Sequence, residues 1–589
     1  MREIGKKYGV LILIVLLAFG GMVYYGGRKE GYHVDEMLSY GLANSEYLPF
    51  MHFGESGYDV KDWMLEYGAG ESLGDLCRNL VKDFKILKQE DFRFKESVIY
   101  QDFLLARENS ADTRTTTWVS GQEYLDYLAV SKSNSFNYAS VYYNQRGDVH
   151  PPLFYLILHT VCSVFQGSFS KWYALGVNIL FLLMTLLLLY RLTERHFGGP
   201  GTAMAVTAVY GLSVGVITSA VYLRMYAILT FMTLWFFYAH LEAAEEGFLM
   251  GKKVRRRLAA AALLGFLTHY YFVIYAAAMA VVFAVWLCSG KRWRALWRYI
   301  RTMALTAVLG LCIWPYAIRH VFGGYRGYEA FVVVANREFY LIKLKFILRQ
   351  LGQQLLGGPG AWLLFPLGCV LLLGLAVWKR KEQGFAGKRM LLLLPGIFYT
   401  VLVSQIVPLC VERYFMNMFP LSCLLLVVTG KEAAEGILSG KRLSGTWLGW
   451  HREKLWLLGG AAVLALVLLN NWVVRTPGYL YTGGQETASV PEGADCVYVL
   501  QDGSWNSSAV DSSILARCRR VGVVYQSDLS CLADGYQYES GQWVIVAVSE
   551  ELEPEEVVEE VKEMLNLQTA GEVFREEGNT SVRIYLQVP

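Results

Sequence analysis

The sequence predicts a polytopic α-helical membrane protein with about eleven transmembrane helices. It also predicts a large outer first loop and a small C-terminal α/β extracytoplasmic domain. Three observations lead there. Of the 589 residues, 54% are hydrophobic and only 18% charged, whereas soluble domains are nearer about a quarter charged. Apolar runs of about 20 residues recur, each long enough to cross a bilayer. Lys and Arg gather in alternate loops, as they do on the cytoplasmic side of membrane proteins.

In chain order, residues 1–25 form a first transmembrane helix with a basic start and an apolar centre. A secretory signal would look similar, but no small-x-small cleavage site follows, so a retained anchor is expected. Asp35 lies outside in either case. Residues 26–149 form an extracytoplasmic loop that holds the acids Asp35 and Glu36 and short helices, from Asp75 to Phe92 and from Ser120 to Val130. Residues 150–473 form the helix bundle, with spans near 170–191, 200–219, 224–243, 257–270, 271–289, 302–320, 360–378, 390–410, 414–430 and 455–473. With the first span at 8–26 and the N-terminus cytoplasmic, the internal loops hold the basic clusters Lys252–Arg257, Lys291–Arg301, Lys379–Arg389 and Lys431–Lys454. Merging 257–289 into one span would put the later clusters outside. Leu153 to Phe165, opened by Pro151-Pro152, is too short to span and reads as an interfacial or re-entrant helix. Glu338 to Leu356 reads as an amphipathic helix on the interface.

Residues 474–589 end outside as a small α/β domain. Cys496 to Leu500, Val521 to Tyr525 and Trp543 to Val548 read as strands, Glu551 to Leu567 as a helix, and Ser581 to Val588 as a last strand. Of ten cysteines, three lie in this tail without metal-type spacing, so at most one disulfide is expected there. The net charge of +3, spread over short loops, implies no nucleic acid.

Polar clusters recur where the chain meets the outer face: His33-Val34-Asp35-Glu36, His150-Pro151-Pro152, Arg224-Met225-Tyr226, His269-Tyr270-Tyr271 and Glu412-Arg413-Tyr414. Each has an ordinary explanation alone, such as a solvated acid pair, helix-start chemistry, a snorkelling Arg or a structural His. Together they place acids, histidines and arginines on one face. A carboxylate there can take a proton from an attacking hydroxyl, and Arg matches phosphate geometry while staying charged. A divalent metal ion is the one cofactor considered, with Asp35, His269 and Glu412 as candidate ligands, although long-range spacing does not establish it.

These segments resemble a known pattern. Val34-Asp35-Glu36 after a first span, Asp148-Val149-His150-Pro151-Pro152-Leu153 closing a large outer loop, and Arg224-Met225-Tyr226-Ala227 at a helix start are similar to bacterial GT-C glycosyltransferases. The nearest group is glycosyltransferase family 39 with the protein O-mannosyltransferase-like enzymes. Thr268-His269-Tyr270 and Glu412-Arg413-Tyr414 extend the match over roughly residues 8–430. The resemblance implies GT-C architecture in the bacterial plasma membrane and an inverting transferase. Its donor would be a polyprenyl-phosphate sugar, and its acceptor a glycan, lipid or protein of the cell envelope. It implies Asp35 as general base, supported by Glu36. It implies His150 and Arg224 at the donor phosphate, with Arg413 a further candidate; Tyr226, His269, Tyr270 and Tyr414 are expected to line the pocket. No Asp-x-Asp nucleotide-sugar motif is evident in the matched region. The rival readings are a transporter or flippase of lipid-linked saccharides, and a non-catalytic lipid-binding scaffold of envelope synthesis. Transport predicts ionisable residues in mid-span and inverted repeats, and the sequence shows neither.

Overall fold

The computed structural model describes residues 2–50, 55–56, 115–116, 118–322, 340–378, 385–407, 410–438, 476–482, 490–501, 506–533, 536–578 and 580–589, with 465 and 469 isolated. The segment from Asp75 to Phe92, the span expected at 455–473, and the basic residues at 379–381 and 441–454 lie outside the described residues. So does Cys77.

Among the described residues, eight helices are long and apolar enough to cross a membrane, from Tyr8–Gly27 to Glu412–Glu435. The protein is therefore an integral membrane protein, and its described residues hold fewer such helices than the eleven spans expected of the whole chain, one of which lies outside them. The spans expected at 170–191 and 200–219 share one apolar stretch, Lys171–Gly211. It is interrupted where the helix widens into a π-turn at Glu194–Gly198. There Gly198 and Gly199 take φ of 146° and 79°, conformations open to glycine and strained for other residues.

The span expected at 200–219 is itself two helices, Gly199–Gly211 and Val214–Val221. Ser213 divides them: its hydroxyl donates to Tyr210 O (2.6 Å) and accepts from Val216 N (3.4 Å), a local alternative to the helical ladder. The expected span 257–270 is the helix Lys252–Phe266, of 15 residues. At about 1.5 Å per residue it reaches only ~22 Å, short of a hydrocarbon core of ~30 Å. The expected span 302–320 runs instead as Trp293–Ile313 and ends just before Pro315.

One helix is central. Of the apolar window in Tyr226–Glu245, 78% is buried, against 17% in Trp293–Ile313. The first of these is enclosed by protein, and Arg224 stands at its entrance. Helix α1 (Arg2–Gly27) is followed by α2 (Val34–Asn44), which is buried along most of its length. Leu153–Val164 packs against α2, and His159 Nδ1 lies 2.7 Å from Ala43 O. The expected amphipathic helix is present as Tyr340–Leu356.

The tail contains the expected strands. In chain order the strands are β1 (Glu55–Ser56), β2 (Thr115–Thr116), β3 (Trp118–Ser120), β4 (Asp495–Leu500), β5 (Arg520–Tyr525), β6 (Trp543–Ser549), β7 (Gly571–Glu577) and β8 (Ser581–Gln587). A six-stranded sheet runs β3-β5-β4-β6-β8-β7, with β4 parallel to β5 and β6 and the remaining pairs antiparallel. Val497, Val499, Val544, Val546 and Val548 pack with Val557, Val558 and Val561 of the helix Pro554–Met564. Pro at that helix's first position accounts for its start at 554 rather than 551. Two strands of this sheet were not expected, and neither were the short β1 and β2. β7 is an exposed, charged edge, a composition that protects edges from pairing with other chains. β3 comes from the first loop: Trp118, Val119 and Ser120 pair with Gly522, Val521 and Arg520. Cys496, Cys518 and Cys531 are free thiols.

Candidate functional site

His33-Val34-Asp35-Glu36 opens α2 as a capping box. His33 Nδ1 accepts from Asp35 N (3.1 Å), and Glu36 Oε2 accepts from His33 N (2.7 Å). Acids in a first turn also suit the positive end of the helix dipole. The two adjacent acids then diverge, because neighbouring helical residues point about 100° apart. Glu36 is fully buried. Its Oε2 pairs with Lys29 Nζ at 2.9 Å, and its Oε1 accepts from Leu223 N at 2.7 Å. The Asp35 side chain stays 23% exposed. Its Oδ2 accepts from Arg413 Nη1 (2.7 Å) and from the Tyr222 hydroxyl (3.1 Å).

Arg224 enters from the turn before the central helix. Asn178 holds that turn extended by donating to Ala220 O and Tyr222 O. The Arg224 residue is only 4% exposed, yet its contacts are to uncharged acceptors. Nη1 donates to Asp35 O (2.9 Å), to Ser39 Oγ (2.5 Å) and to Tyr155 Oη (3.3 Å). Nη2 lies 3.4 Å from His150 Nε2. The Nε atoms of Arg224 and Arg413 are both buried without a hydrogen-bond partner. A buried guanidinium with no ion pair and an unmet N–H is costly in the absence of an anion.

His150 sits between acid and base. Its Nδ1 is 2.9 Å from Asp148 Oδ2, and Tyr155 also donates to that oxygen at 3.3 Å. The network assigns a neutral ring with Nδ1–H on Asp148 and the Nε2 lone pair toward Arg224. Burial lowers the His150 pKa, and Arg224 adds to the lowering against the pull of Asp148. In this tautomer His150 orients Arg224.

The remaining candidates part company. Tyr226 stacks on Tyr222 at 5.6 Å and lies 5.6 Å from His269, which is 5.4 Å from His150. Tyr414 accepts from Arg413 Nη2 at 3.4 Å. Tyr270 turns into a separate cluster, where its hydroxyl meets His320 Nδ1 (2.8 Å) and Trp314 Nε1 (2.9 Å). Among the described residues no group of three or more His, Cys, Asp or Glu is placed to hold a metal ion. The candidates Asp35, His269 and Glu412 are therefore not gathered as a ligand set. Asp148, Tyr155, Tyr222 and Ser39 join the site without having been singled out. Only Asp148 carried a signal, two positions before His150.

Burial alone would raise the Asp35 pKa. Arg224 and Arg413, with His33 and His150, outweigh it and hold the carboxyl below its usual range. Burial lowers His269, and His150 and Arg224 lower it further.

Fold and site together define a polytopic membrane protein with an ionised Asp–Arg cluster beside its central helix. In overall chain course it is similar to two crystal structures of ArnT from Cupriavidus metallidurans. The structure bound to undecaprenyl phosphate is 13% identical, with 90% of this chain and 98% of that chain covered at a TM-score of 0.42. The apo structure is 14% identical, with 86% and 98% covered and a TM-score of 0.42. No family model matches the sequence, and no curated protein does.

Proposed function

We propose that the chain is a GT-C-type glycosyltransferase of the outer membrane face. It transfers a sugar from a polyprenyl-phosphate donor to an envelope acceptor, with the N-terminus cytoplasmic and the tail outside. The observation that carries this reading is Arg224: buried, without an ion pair, with an unmet N–H, and bonded to the backbone of Asp35. A donor phosphate supplies the missing anion, and its lipid tail remains in the bilayer.

In the reaction the acceptor hydroxyl gives its proton to Asp35 as its oxygen bonds to the sugar's anomeric carbon. The bond from that carbon to the phosphate oxygen breaks, and polyprenyl phosphate leaves with the electron pair. Arg224 and Arg413 stabilise the departing oxyanion. At rest, the same arginines keep Asp35 a weak base. A phosphate beside them offsets their field, so base strength rises once the donor is bound. Tyr226, His269 and Tyr414 border the pocket. Glu36 acts as an anchor for α2.

The test is transfer of labelled sugar from a pool of polyprenyl-phosphate sugars to extracted cell-envelope acceptors by the purified protein in lipid nanodiscs. Wild-type protein is expected to consume one donor, and Asp35→Asn to bind it without turnover. Undiminished transfer by Asp35→Asn removes Asp35 as the base. A wild-type protein that consumes no donor sinks the transferase reading.

A further inference from the structure

At the start of the tail, residues 476–482 pass over the site. Gly478 N donates to Thr218 Oγ1 (3.3 Å), Lys29 Nζ donates to Tyr479 O (2.7 Å), and Glu30 N donates to Leu480 O (2.9 Å). Tyr479 and Tyr481 hold φ of 61° and 48°, a left-handed backbone that bulky residues keep only when their surroundings hold them there. The Tyr479 ring lies on the Tyr222 ring with centroids 4.0 Å apart and planes 19° apart. The Tyr222 hydroxyl braces the direct Asp35–Arg413 pair, donating to Asp35 Oδ2 and accepting from Arg413 Nη1. The buried Lys29–Glu36 pair completes the knot. Glu36 takes the Leu223 amide, one residue from both Tyr222 and Arg224, while Lys29 takes the Tyr479 carbonyl.

We infer that Tyr479 is a positioning residue for transfer, setting the Tyr222 ring and through it the Asp35–Arg413 pair, and that Lys29–Glu36 fastens this segment in place. The inference rests on the transferase reading and deepens it: the tether of the tail becomes part of the site. Loss of the stack lets Tyr222 swing and misplaces the acid by a fraction of its working distance, which is enough to slow turnover strongly.

The experiment uses the full-length protein in nanodiscs with labelled polyprenyl-phosphate sugar, and reads hydrogen exchange in parallel. Tyr479→Ala is expected to lower kcat by about 10- to 100-fold while KM for the donor stays within about twofold. Tyr479→Phe, which keeps the stacked ring, is expected to restore kcat. In Lys29→Met, which removes the Lys29 side of the fastening, the amides of Glu30 and Leu223 are expected to exchange at least about tenfold faster, with the β4 and β6 amides unchanged. Wild-type kcat in Tyr479→Ala, or a Phe variant as slow as Ala, overturns the positioning role. Unchanged exchange at Glu30 and Leu223 overturns the fastening. If wild-type protein transfers no sugar, the transferase reading and the role in transfer fail together, and exchange alone then decides the fastening.

Discussion

At Asp35, the carboxylate meets Arg413 and Tyr222, and the backbone carbonyl meets Arg224. In the tail, Asp511 meets Arg583, Tyr498 and Ser581, so the two clusters draw on the same residue types. Asp511 is 1% exposed. Its Oδ2 accepts from Tyr498 (2.8 Å) and Ser581 (2.6 Å), while Oδ1 faces Arg583 Nη1 at 3.5 Å. Arg583 also faces Glu576 at 3.3 Å, so one guanidinium lies between two acids. Around Asp35 the ratio is reversed, with two arginines on one acid and Arg224 left with uncharged partners. Closure and compensation mark the tail cluster as an internal brace. Exposure and an unpaired Arg mark the other as a place for a ligand.

Substitutions separate the two. Asp35→Asn is expected to reduce transfer by about 10²- to 10⁴-fold, the usual reach of a general base, with a smaller loss of stability than Asp511→Ala brings. Arg224→Gln follows, with kcat/KM down by about 10²- to 10³-fold as one oxyanion-stabilising donor is lost. Initial rates over a donor series check both. Asp511→Ala inverts the pattern. It leaves Arg583 short of a partner and is expected to destabilise the tail by about 3 kcal/mol, read by denaturant unfolding. Turnover per folded molecule should persist. If turnover vanishes while the tail remains folded, the brace assignment is wrong.

The smallest effect is in pH. The Asp35 pKa is depressed in the folded protein, so the stability it contributes is fully present above the ordinary carboxylate pKa of about 3.9. That stability is lost as pH falls through the lower folded value. The difference in melting temperature between wild type and Asp35→Asn should be flat from about pH 8 to 5 and shrink below about pH 4. A gap that closes already near neutrality would mean that Asp35 is not held by the arginines.

The sequence made the ionic half of the site readable, because Asp35, His150, Arg224 and Arg413 stand at the ends of apolar runs where charges are conspicuous. The aromatic half was not. Tyr222 and Tyr479 are two of 38 tyrosines, and nothing local distinguishes a ring that braces a carboxylate from one at a membrane interface. Adjacent pairs were harder still. Asp35 and Glu36 part by one helical step, and Tyr270 faces away from His269 into the His320–Trp314 cluster. Span number suffered where Ser213 and Gly198-Gly199 break helices inside continuous apolar sequence, since hydropathy does not register a local hydrogen bond or a positive φ. β3 is three residues long, below what alternation can reveal.

That short strand has a consequence in time. Ser120 pairs with Arg520, about 400 positions later in synthesis. At about 5–20 residues per second, roughly 20–80 s separate the emergence of the two strands from the ribosome. The first loop must therefore wait, across the insertion of the whole bundle, for the strand that completes its sheet. A chain released early, before β5, keeps every described membrane helix but leaves Trp118–Ser120 without its partner strand, so this sheet edge separates finished from unfinished molecules.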